Sequence, residues 1–72
     1  MGIEEYEKRF GAIAVEQGYI TLEQLLEAMK VQVTEDIEEK KHRPIGQILF
    51  ELGHMSDSQI EEVLDVVVPK KG

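Results

Sequence analysis

Few side chains in this sequence could carry covalent chemistry. Cysteine is absent, which removes a thiolate nucleophile, a disulfide framework and a thiolate metal site together. The serines are Ser56 and Ser58, and Ser56 stands where a helix cap belongs. Neither has a histidine and an acid arranged to activate it, and no glycine-rich loop fits a phosphate cradle or a dinucleotide turn. His42 lies in a charged stretch and His54 in a turn, so both read as solvated. The acids Glu35, Asp36, Glu38 and Glu39 lack the glycine and the spacing of a calcium loop and read as a solvated helix face. The expectation is a protein that is not an enzyme and holds no cofactor or metal. Among the remaining polar side chains, Arg9 and Gln32 stand at the two ends of a patterned stretch. On the plainer reading, Arg9 is a solvated surface arginine and Gln32 an exposed polar residue.

The elements that would position these residues come from a repeat. The stretch from Arg9 to Gln32 aligns without a gap with Pro44 to Val67, at a constant offset of 35 residues. Gly11, Ile13, Glu16, Gly18, Gln24, Glu27 and Val31 recur as Gly46, Ile48, Glu51, Gly53, Gln59, Glu62 and Val66. Each copy reads as two helices. Ile3, Tyr6, Phe10, Ile13 and Ala14 make one apolar stripe at helical spacing. Gly18 and Gly53 fall where a helix ends in a left-handed residue, a conformation without a steric penalty for glycine. Thr21 with Gln24, and Ser56 with Gln59, are capping boxes that open the next helix, flanked by the staple pairs Ile20–Leu25 and Met55–Ile60. Asp36 with Lys40, and Glu39 with Arg43, are spaced to pair along a helix that continues to Lys41. Pro44 suits the start of a helix, and Pro69 ends the last one. The sequence therefore predicts one all-α domain of four helices, about 3–17, 22–41, 45–52 and 57–68. Repeat 1 spans 9–32, the linker 33–43 and repeat 2 44–67, with 69–72 as a frayed tail.

The composition bounds the partners. Seventy-two residues suffice for one domain with a modest core. Fifteen acids against eight bases give a formal charge of −7, which disfavours nucleic acid and adsorption to anionic lipid. No stretch resembles a targeting peptide or a membrane span, so a cytoplasmic protein without direct membrane insertion is expected.

The motif of copy one, from Arg9 through Gly11, Val15, Gly18, Ile20, Leu25 and Met29 to Gln32, resembles the repeated motif of MshEN-type domains. These are the N-terminal domains of type II secretion and type IV pilus assembly ATPases. Some members bind cyclic di-GMP across two successive motifs; others connect the ATPase to its membrane platform. The resemblance implies that Arg9 and Gln32 face the ligand, that Gly11 and Gly18 let the backbone approach it, and that Val15, Ile20, Leu25 and Met29 shape an apolar wall. In copy two the corresponding ligand positions are Gly46 and Gly53, with Pro44 in place of Arg9, Arg43 beside it, and Val67 in place of Gln32. Gly11 and Gly46 are open to another reading, as sites of close helix packing.

Two functions follow as expectations. The first is a non-catalytic module that binds a protein, a secretion or pilus component or a second copy of itself, with Val63, Val66 and Val67 as an apolar docking surface if they are exposed. The alternative is a cyclic di-GMP receptor.

Overall fold

The computed structural model describes residues 5–68, and four α-helices account for most of them: α1, Glu5–Glu16; α2, Leu22–Glu38; α3, Ile45–Glu51; α4, Asp57–Val67. No strand occurs among the described residues. Ile3, Pro69 and the tail 69–72 lie outside them.

The turns repeat as closely as the sequence does. Gly18 and Gly53 take φ of 81° and 84°. In each copy the glycine N–H and the next N–H reach back into the preceding helix: Gly18 to Val15 O and Tyr19 to Ala14 O, both 3.0 Å, then Gly53 to Phe50 O at 3.0 Å and His54 to Leu49 O at 2.9 Å. This crossed pair satisfies carbonyls that the helix end would otherwise leave without donors. Both capping boxes form. Thr21 and Ser56 share one extended conformation, φ −94° and −92°, with ψ 166° in each. Their hydroxyls accept from the Gln24 and Gln59 amides at 3.1 and 3.2 Å, and both glutamine side chains return a 3.0 Å bond.

Tertiary packing crosses between the copies. α1 lies chiefly on α4 and α2 on α3, so the first helix of each copy packs on the second helix of the other. The arrangement is reciprocal in detail. Tyr19, following the first glycine turn, donates its hydroxyl to Glu62 Oε1 on α4. His54, at the matching position of the second turn, places Nε2 3.1 Å from Glu27 Oε1 on α2. The recurrent Glu27 and Glu62 thus each anchor the turn of the opposite copy. One shared core results, built from Phe10, Ala14, Ile20, Leu25, Ala28, Ile45, Ile48, Leu49, Met55, Val63 and Val67.

The helix α2 stops at Glu38 rather than at the expected Lys41. Lys40 takes φ 54°, a left-handed conformation that costs a residue with a Cβ and ends the helix. The expected pairs Asp36–Lys40 and Glu39–Arg43 are replaced by longer-range ones. The chain turns back so that Arg43 grips Glu35 with Nε and Nη2 at 2.9 and 2.8 Å and reaches Glu51 through Nη1 at 2.5 Å. A bidentate guanidinium–carboxylate pair and its extension to α3 compensate for the lost helical turn.

Candidate functional site

The residues expected to meet a ligand do not converge on an open surface. Gln32 is 2% exposed and Glu7, which the sequence did not single out, is 4% exposed. The Gln32 side-chain amide donates to Glu7 Oε1 at 2.5 Å and to the Arg43 carbonyl at 2.8 Å, tying α1, α2 and the linker together. Both readings of Gln32, as a ligand contact and as an exposed residue, give way to this internal one. A buried carboxylate needs such donors, because unpaired it would carry the full desolvation penalty. No buried side-chain nitrogen or oxygen among the described residues lacks a partner. A hint of Glu7's role lies in its register: it shares a helix face with Phe10 and Ala14, so an acid stands on the apolar stripe.

His42 is not a solvated bystander either. Its Nε2 lies 3.1 Å from Glu7 Oε2, and its Nδ1 lies 3.1 and 3.3 Å from the two Asp36 carboxylate oxygens. Hydrogen bonds to Glu7 and Asp36 outweigh partial desolvation and raise its pKa above the ordinary 6.5. Glu7 and His42 are themselves 35 residues apart, each two positions before its copy begins, so the lead-in segments of the two copies touch where the halves meet. The Arg43 bonds to Glu35 and Glu51 lower the Glu35 pKa and raise that of the guanidinium. Three of its five N–H donors are engaged by these carboxylates, which already neutralise its charge. Arg9 is exposed and forms no ion pair with the described residues.

The glycines divide into two kinds. Gly18 and Gly53 are exposed, with open space where a Cβ would stand, and serve the turn. Gly11 and Gly46 are buried: a Cβ on Gly11 would come within 2.7 Å of Leu25 Cδ1, and one on Gly46 within 3.0 Å of Phe10 Cζ. Close helix packing, the second reading of these two positions, accounts for both. Among the expected docking valines, Val63 and Val67 are core residues and only Val66 is half exposed. Position 67 matches position 32, so the exchange of Gln for Val swaps one buried residue for another.

What the structure does open is a groove of about 310 Å³ between α1, α3 and α4, lined by Tyr6, Phe10, Ile45, Phe50, Ile60 and Leu64 among others. Most of its walls come from copy two: Ile45, Gly46, Phe50, Ile60 and Leu64 match Phe10, Gly11, Val15, Leu25 and Met29. Pro44 lines it where the motif of copy one has Arg9, and Asp57 is the one charged residue among the described residues that line it. A smaller hollow of about 170 Å³ lies beside Ile13, Tyr19, Glu62 and Val66. No group of three or more histidine and acidic side chains able to hold a metal occurs among the described residues, and no described helix is long and apolar enough to cross a membrane. Comparison of the chain with protein-family models, with curated proteins and with solved structures gives no match.

Proposed function

We propose that the chain is a non-catalytic module that docks a protein partner in the groove between α1, α3 and α4. The observation that carries this reading is the character of the groove: apolar walls, proline at the position of the motif's cation, and, among the described residues that line it, an acid as the only charge. A ligand with two guanine–phosphate halves requires donors and positive charge, and its binding here would oppose both Asp57 and the net charge of −7. Apolar side chains of a protein, with a lysine or arginine beside them to meet Asp57, suit the lining better. The resemblance of the repeat to MshEN-type domains makes a component of a secretion or pilus assembly system the first partner to test.

A photo-crosslinking amino acid at position 47, on the rim, tests this in cells. A discrete crosslinked protein is expected, and it should vanish with Phe50→Glu, a change at a half-exposed side chain that leaves the helical circular dichroism intact. Titration of the labelled chain with cyclic di-GMP is expected to leave the amide spectrum unchanged. Saturable shifts at Gly46, Phe50 and Ile60, or the absence of any crosslinked partner, would overturn the proposal.

A further inference from the structure

The helix α2 carries two apolar stripes, and the fold uses one of them. Leu25, Ala28 and Gln32 face the core. Leu22, Leu26, Val33 and Ile37 do not: they are 59%, 54%, 45% and 69% exposed, with half-buried Met29 between them. At about 100° per residue, positions 22, 26, 29, 33 and 37 fall within an arc of about 80°, a continuous seam along the whole helix. None of these residues lines the groove, so the seam is a separate surface.

The second copy shows that the fold does not require this seam. On α4 the positions matching Leu22 and Leu26 are Asp57 and Glu61; Met29 and its match Leu64 both pack on the core, and Val33 and its match Val68 are both exposed. Two equivalent helices with equivalent caps therefore carry leucines in one case and acids in the other at the same exposed sites. Exposed leucine and isoleucine at helical spacing lose the benefit of burial unless something covers them.

The surrounding charge indicates what covers them. Nearest the seam α2 carries Glu23, Glu27 and Asp36 against a single base, Lys30, while Glu35 lies across the helix in the grip of Arg43. A second copy packed on this face would bring like charges edge to edge, which destabilises a helix pair. We propose that the outer face of α2 docks a basic amphipathic helix of a partner protein, one whose apolar residues recur at intervals of three and four between flanking lysines or arginines. The apolar seams interdigitate, and the flanking bases meet the α2 acids.

The test uses the full chain and a synthetic heptad peptide with leucine at a and d and lysine at e and g, beside a twin with glutamate for lysine. The lysine peptide should shift the amides of Leu22, Leu26, Val33 and Ile37 on titration, and the glutamate twin should bind about tenfold more weakly or not at all. Leu26→Glu and Ile37→Glu each add an acid, so attraction by charge alone would strengthen with them, whereas docking on the seam should weaken by about tenfold. Equal or tighter peptide binding by both variants overturns the proposal, as do shifts confined to Phe50 and Ile60 in the groove. A sedimenting dimer that Leu26→Glu dissociates would assign the seam to a second copy instead. The groove variant Phe50→Glu should bind the peptide unchanged, which separates this result from the fate of the groove.

Discussion

His42 lies between Glu7 of α1 and Asp36 of α2, and the protonated imidazole is the form that both carboxylates favour. Because its folded pKa is raised above 6.5, the bridge's stabilisation is complete below that value and declines as pH rises through the folded pKa. The wild-type melting temperature should therefore fall across the window above 6.5, and His42→Gln should remove that slope; a parallel slope in the variant would refute the assignment. Glu35 has the opposite sign. Its lowered pKa adds stability that is lost as pH falls through the folded value, below the ordinary 4.5. None of these partnerships was legible in the sequence. Local spacing paired Asp36 with Lys40 and Glu39 with Arg43, whereas the real partners require the chain to leave the helix at Glu39, and no periodicity announces a left-handed lysine. Gln32 was misplaced for a related reason: amphipathic patterning puts polar residues outside, and its burial is made tolerable by two distant acceptors, the carboxylate of Glu7 and the carbonyl of Arg43.

At the scale of the elements, start and stop signals were the most legible part. A hydroxyl, then a glutamine three residues on, then an apolar run specifies a helix start by local chemistry alone, and both boxes form as that chemistry demands. The left-handed glycines are equally local. Gly11 and Gly46 are not, since their reason is a side chain from another helix. The two should respond differently to a methyl group. Both substitutions gain helix propensity, up to about 1 kcal/mol, but Gly46→Ala meets only the edge of the Phe10 ring at 3.0 Å, so its stability should stay close to wild type. Gly11→Ala drives a methyl to 2.7 Å from a buried leucine, and overpacking of that kind costs about 1–3 kcal/mol. Denaturant unfolding of both variants checks the order; a Gly11→Ala protein as stable as Gly46→Ala would contradict the packing account.

For the whole molecule, the reciprocal packing means that neither copy owns a core. α1 needs α4 and α2 needs α3, so a chain cut in the linker should give two fragments that are largely unfolded alone and regain helix when mixed. Circular dichroism of residues 5–41 and 42–68, separately and together, measures this; a stably helical single fragment would mean that each copy folds by itself. The repeat was visible in the sequence, but the exchange of partners was not, because a constant offset says nothing about which copy a helix faces. The groove was hidden for the same reason, as it forms where Tyr6 and Phe10 of the first copy meet α3 and α4 of the second.

The short span from Glu39 to Pro44 has a consequence for the chain in solution. Halves that complete each other within one molecule could equally complete each other between two, so closure within one chain depends on proximity: a short tether holds the complementary halves at an effective concentration in the millimolar range. The Arg43 grip on Glu35 and Glu51 shortens that tether further, fastening the end of α2 to α3. Crowded or freshly refolded chains would be sorted into closed monomers by this fastening, and loosening it would let the same surfaces entangle neighbouring molecules.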